Sequence, residues 1–167
     1  MAYQFTATYS IGASPVTQID DSARHTPGTI LPAFDPILGG AEFIYLKGVA
    51  STVVGDLVDY DPLANTTTRS PATTGSGPVA VAMAATVATK FGWYQIQGVA
   101  AVTAPAVAAS GGDVYMSAVA TVDESVVANE AILGAKFVSI TNGGTPAAGA
   151  TRAYVLINRP THGATTP

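Results

Sequence analysis

Glycine and proline punctuate this chain so densely that long helices have no room to form. Seventeen Gly and eleven Pro are spread over 167 residues, leaving only short apolar runs between them. Proline pins φ and removes a backbone donor, and glycine weakens any regular element it interrupts. Short apolar runs between turn residues, spaced roughly 8–12 residues apart, are the pattern of an all-β sandwich or barrel. The length fits one domain with a real hydrophobic core.

Period-two alternation marks the individual strands. Tyr3, Phe5, Ala7 and Tyr9 alternate with Gln4, Thr6, Thr8 and Ser10. Glu42 to Lys47, Leu57 to Tyr60, a longer run from Val79 to Val87, Trp93 to Gln97, Val114 to Ser117, Lys136 to Thr141 and Arg152 to Asn158 read as further strands. Asp61-Pro62 and the stretch from Asn65 to Pro71 read as a turn and loop. From Ile11 to Gly40 the alternation fails, and Pro15, Pro27, Pro32 and Pro36 favour extended, irregular chain. That segment still carries Ile30, Leu31, Phe34, Ile37 and Leu38, which a solvated linker would not.

The expected organisation is therefore all-β. An extended N-terminal arm over 1–39 docks on its own barrel or on a neighbouring subunit. A compact β-barrel or sandwich domain spans 40–160. A polar tail over 161–167 is mobile unless a partner holds it.

A weak internal echo runs through the body. EFIYLKGVA at 42–50 precedes GDLVDYD at 55–61, and GWYQIQGVA at 92–100 precedes GDVYMSA at 112–118. Each unit is an aromatic strand, a Gly-Val-Ala turn, a loop, then Gly-Asp opening another strand. Glycine there is free to take positive φ, and the aspartate can bond nearby amides. Two similar hairpin corners are the more ordinary explanation of the echo, and a duplicated β-motif is the alternative.

Charge bounds the partners. Charged residues make up 11 % of the chain, against about 25 % in typical soluble domains. Small neutral side chains take their place, as expected of a surface that is hidden in an assembly. Net charge is −4, and the seven basic residues stand singly, so the clustered cations that nucleic acid requires are missing. The chain has no cysteine, which excludes disulfides and thiolate metal sites. Met1 to Ser10 lacks the basic and apolar regions of a signal peptide. No run approaches the roughly 18 apolar residues of a membrane-spanning helix.

Motifs that carry chemistry are thin. His25 and His162 both fall in segments that look irregular, whereas catalysis needs supported geometry. Gly75-Ser76-Gly77 only resembles a nucleophile elbow and reads better as a loop. Asp56, Asp59 and Asp61 could gather a hard cation, but the spacing is not that of a calcium loop, and strand-end and turn roles fit better. Glu42, Glu124 and Glu130 are too dispersed to pair as acid and base. Asn65-Thr66-Thr67 matches a glycosylation sequon, a frequent chance match. Phe91, Trp93 and Tyr94 could form a stacking platform for sugars or bases, with core or interface packing the more ordinary role. No enzyme activity and no cofactor are expected.

The run from Gly40 to Gly98 resembles a group of small tailed-phage head decoration (capsid cement) proteins. The similar pieces are GAEFIYLKGVA at 40–50, GPVAVAM at 77–83 and GWYQI at 92–96. The segment from His25-Thr26-Pro27-Gly28-Thr29 to Phe34-Asp35-Pro36 and the closing strand up to Arg159-Pro160 also fit. Decoration families have compact β-barrel or β-tulip cores. The resemblance implies a virion protein on the outer capsid surface that binds the major capsid protein and neighbouring copies of itself. A homotrimer is the first expectation by analogy and a dimer the next. It implies no catalytic residues, and the charge and hydropathy patterns leave no nucleic-acid or membrane partner expected. Phe34, Ile37 and Leu38 are then candidate arm anchors, and Phe43, Tyr45 and Trp93 candidate core or interface aromatics. The rivals are another virion component, such as a tail, head-fibre or adaptor protein, and a carbohydrate-binding β-module using Trp93.

Overall fold

A computed structural model describes residues 3–5, 13–104, 111–126, 130–138 and 152–163. These residues form twelve β-strands and no helix. In chain order they are β1 (Gln4–Phe5), β2 (Ile19–Asp20), β3 (Ile30–Asp35), β4 (Gly39–Lys47), β5 (Leu57–Asp61) and β6 (Thr66–Arg69). There follow β7 (Val79–Ala82), β8 (Phe91–Thr103), β9 (Asp113–Ala118), β10 (Thr121–Asp123), β11 (Ala131–Val138) and β12 (Arg152–Gly163). One sheet joins them in the order β1-β3-β4-β6-β5-β7-β8-β12-β11-β9-β10, with β2 paired to β8 and a further pairing of β4 with β8.

That last pairing closes a circuit. β4, β6, β5, β7 and β8 return to β4, making a five-stranded barrel. Closure at the β4–β6 seam is a single parallel contact, Lys47 opposite Thr66. Ile44, Leu46, Val58, Ala80, Ala82, Tyr94 and Ile96 fill the interior. Tyr94 brings a hydroxyl into this apolar space, where it needs a partner. Thr86 supplies one at 2.6 Å. Thr86 lies beyond β7, which spans only the first four residues of the strand expected over 79–87.

A second core lies on the other side of the β5–β7 wall. Leu57, Val79 and Val81 face it, together with residues of β8, β9, β10, β11 and β12 such as Val102, Met116, Val122, Phe137 and Val155. Strands β5 and β7 therefore bury side chains on both faces, and all four residues of β7 are buried. Leu57 N–H donates to the Ala120 carbonyl at 3.1 Å, tying the far hairpin β9–β10 back to this wall.

Several sequence expectations shift. Thr66–Arg69, placed in a loop, is strand β6, because pairing with β5 overrides its polar composition. The second Gly-Val-Ala lies inside β8, whereas the first, from Gly48, leaves its strand, so the echo does not repeat as structure. Gly55 has φ +88 and Asp56 accepts the Val53 amide, as the Gly-Asp reading requires. In the second copy the positive φ sits at Gly111, and Asp113 is exposed and paired with Lys136. The described part of the arm is built into the sheet. β3 pairs with β4 from Ile30↔Ile44 to Asp35↔Gly39, so a boundary at 39/40 cuts through a hairpin. β12 continues through Gly163, past the expected start of the tail. The expected strand positions Ala7, Tyr9 and 139–141, and tail positions 164–167, lie outside the described residues.

β8 bends where it passes from the barrel to the second core. The register against β4 shifts between Glu42↔Gln97 and Phe43↔Gln95, and Gly98 follows with φ +96. A Cβ at Gly98 would stand 2.6 Å from the Gly40 carbonyl oxygen. The buried Gln95 amide donates to the Gln97 and Val99 carbonyls at 3.1 Å each, satisfying groups that the bulge displaces. Gly77 has a similar φ of +90 with nothing within 4 Å of the added atom. Gly77→Ala should therefore cost only backbone strain, about 1–2 kcal/mol. Gly98→Ala should cost at least ~2 kcal/mol more, through overpacking. Urea unfolding of the two variants checks the difference, and equal losses would contradict the close approach.

Candidate functional site

Alternation along β3 decides which arm residues can touch a partner. Ala33 and Asp35 point inward and are 2 % and 1 % exposed. Ile30 and Phe34 point outward, at 40 % and 53 % exposure. Asp35 Oδ1 accepts the Ile37 and Leu38 amides at 2.8 and 3.0 Å, an Asx turn that fixes the hairpin tip. Ile37 is held half-exposed there, while Leu38 packs onto an aromatic cluster beneath. The three candidate anchors therefore separate: Phe34 and Ile37 face out, and Leu38 is part of the packing.

Phe43, Tyr45 and Trp93 all belong to that cluster and are at most 1 % exposed. Of core and interface, the structure gives them the core. They are corrected as interface residues because a fully covered side chain offers no surface. Trp93 lies 5.0 Å from Tyr45, centroid to centroid, and Tyr45 stacks on Phe91 at 6.1 Å. Phe43 meets Tyr3 edge-on at 5.2 Å. With Trp93 buried there is no stacking platform, which removes the feature that favoured a carbohydrate-binding module.

What covers the cluster is residues 13–25. Trp93 Nε1 donates to Ser14 Oγ at 3.1 Å, and the Tyr45 hydroxyl donates to Asp20 Oδ2 at 2.7 Å. The Arg24 amide donates to the same hydroxyl at 3.3 Å, and the Arg24 guanidinium pairs with Asp20 at 3.1 Å. His25 sits 5.1 Å from the Tyr45 ring and 5.2 Å from Trp93. His25 lies outside any strand, as expected, yet its ring is held by packing. Ser14 and Asp20 were not singled out in the sequence. The one hint was the i,i+4 spacing of Asp20 and Arg24.

His162 is also in supported geometry. It lies on β12 with its side chain 3 % exposed, and Nε2 is 2.8 Å from Asp59 Oδ1. The Ser70 hydroxyl donates to that oxygen at 2.5 Å. Gly75 lies flat on the imidazole, where a Cβ would sit 2.1 Å from the ring. Serine and histidine both bond the carboxylate, and Ser70 is fully buried, so this group clamps β5, β6 and β12 together. Asp56 instead binds the Val53 amide and Arg69, and Asp61 caps the turn at Leu63 and Ala64. The three aspartates thus serve separate roles, with Asp59 alone reaching across the fold to β12. Among the described residues no three of His, Asp or Glu gather as metal ligands. Glu42 pairs with Arg159.

Burial pushes the Tyr45 hydroxyl up to about 12, with the bond to Asp20 acting in the same direction. Burial likewise raises Tyr3 to about 12. A phenol ionises to an anion, so a raised value in the folded state favours the neutral form there. This stability is complete below the ordinary value near 10 and is lost as pH rises towards 12. The urea midpoint should be flat up to about pH 10 and fall steeply above it. Tyr45→Phe should be less stable at neutral pH but show a shallower alkaline fall. A decline that begins below pH 9 would contradict this assignment.

No family model matches this chain, and no curated protein or solved structure matches it either, so its function is argued from its own residues.

Proposed function

We propose that this chain is a structural virion protein that decorates and stabilises the outer surface of a tailed-phage capsid by binding the lattice of the major capsid protein. The β3–β4 hairpin carries the proposal. It holds Ile30, Phe34 and Ile37 outward while Leu31, Ala33, Asp35 and Leu38 are fixed from within. Apolar side chains on a rigid, internally bonded hairpin lose little entropy on docking. The sequence resemblance to decoration proteins covers the same hairpin.

The surface around it suits assembly. Five of the seven basic residues, Arg24, Arg69, Lys90, Lys136 and Arg159, are paired with carboxylates of the same chain. Little unpaired positive charge is left to compete for water or attract nucleic acid. Binding only the assembled lattice stabilises it by mass action, and repeated symmetric contacts let each one be modest.

Because β3 contributes buried residues, deleting the arm would damage the core. Surface substitution is the cleaner test. Phe34→Asp with Ile37→Asp should weaken binding to undecorated heads by roughly 10- to 100-fold, since each side chain is already half-buried and gains about half of the ~1.5–3 kcal/mol of full burial on docking. The thermal midpoint of the free protein should barely move. Undiminished binding would overturn the role of the hairpin. Density on a ring at the tail or portal instead of across the lattice would overturn decoration itself.

A further inference from the structure

We infer that residues 14–25 form a hinged lid that opens as one unit, ahead of the rest of the fold, and uncovers the Trp93–Tyr45 aromatic face. The segment has its own internal closure. Its two ends meet where the Ser14 amide donates to His25 Nε2 at 3.5 Å. Within it the Gln18 amide donates to the Pro15 carbonyl at 2.9 Å, and Arg24 pairs with Asp20. A compact loop with adjacent ends and internal bonds moves as a body.

Its grip on the sheet is narrow and mostly polar. Of its residues only Val16 joins the apolar cluster, and Ile19 is 37 % exposed. Its ladder to β8 is two residues long, Ile19↔Gly92 and Asp20↔Phe91. The Lys90–Asp21 ion pair has an aspartate 87 % exposed, so it holds weakly. Further contacts are the bonds from Trp93 to Ser14, from Tyr45 to Asp20 and from the Arg24 amide to Tyr45, and the His25 ring at the hinge end, which packs on Tyr45 and Trp93. By contrast β8 is bonded along most of its length to β4 and β12. Segments with few buried apolar contacts open below the global unfolding free energy. A turn suited to the hinge follows the lid, where Thr29 N–H bonds the Thr26 carbonyl at 3.0 Å and Gly28 has φ +89.

Trp93 is the single tryptophan of the chain, so its fluorescence reports this opening directly. The test uses purified protein without capsids, so it stands or falls apart from the decoration proposal. Acrylamide quenching of Trp93 is followed through a urea titration beside the far-UV signal of the sheet. Quenching should rise well before the sheet signal changes. Ser14→Ala, which removes the acceptor for Trp93 Nε1, should raise this early quenching roughly tenfold. Ile19 and Gly92 stand directly opposite, a spacing that suits a disulfide. Oxidised Ile19→Cys/Gly92→Cys protein should lose the early phase and regain it on reduction. Comparing the two redox forms of one variant cancels any packing cost of the substitutions. The lid is overturned if quenching coincides with global unfolding in wild type and Ser14→Ala alike, or if the disulfide leaves the early phase in place.

Discussion

Strand β8 is the constraint on which the rest of the fold depends. Phe91, Gly92, Tyr94, Gln95 and Gln97 each pair on both edges, with β4 on one side and β2, β7 or β12 on the other. Its side chains feed three cores. Tyr94 and Ile96 enter the closed barrel, Trp93 anchors the aromatic cluster, and Ala100 and Val102 belong to the second core. A strand with two edges and two faces occupied has no solvent side on which to tolerate error. The bulge at Gly98 lets one strand serve units with different curvature. Gln95 and the Tyr3 hydroxyl then bond carbonyls beside the bend, with Tyr3 Oη donating to Val99 at 2.6 Å.

Much of the fold was legible because it obeys local rules. The all-β class follows from Gly and Pro punctuation, and the strands at 42–47, 57–60 and 93–97 from simple alternation and aromatic content. What was not legible depends on tertiary pairing. Thr66–Arg69 is polar and reads as loop, yet it becomes a strand by bonding β5 and closing the barrel against Lys47. Residues 30–35 look irregular because of Pro32. β3 tolerates that proline because it lies next to the short terminal strand β1, near the edge of the sheet.

The candidate site was legible only in part, for the same reason. Phe34, Ile37, Phe43, Tyr45 and Trp93 share an apolar character, and composition does not separate them. Parity and register do. Phe34 stands opposite Gly40, on the outward face. Phe43 and Tyr45 sit one parity step away from the lining of the barrel and under the cover of residues 13–25. The Ser70–Asp59–His162 clamp was invisible because its members lie 11 and 103 residues from the shared aspartate. Contacts at such separations leave no local spacing to read.

The scarcity of charge takes on a specific meaning in this geometry. A charge-poor monomer could have placed its few cations at random over the surface. Here most are bound to carboxylates that fasten one part of the chain to another: Lys90 to the lid, Arg69 to the turn before β5, and Arg159 of β12 to Glu42 of β4. The charges are largely paired within the chain and leave the outer face of the β3–β4 hairpin to Ile30, Phe34 and Ile37. Such a surface favours contacts that exclude water over contacts that attract counterions. Under the proposed role it suits a partner that is flat, repeated and already assembled, because weak apolar contacts become decisive when many copies bind one lattice. The same logic explains why the larger aromatics are kept under a polar strap. Left uncovered, they would add a second apolar patch on the face opposite Phe34 and promote indiscriminate association.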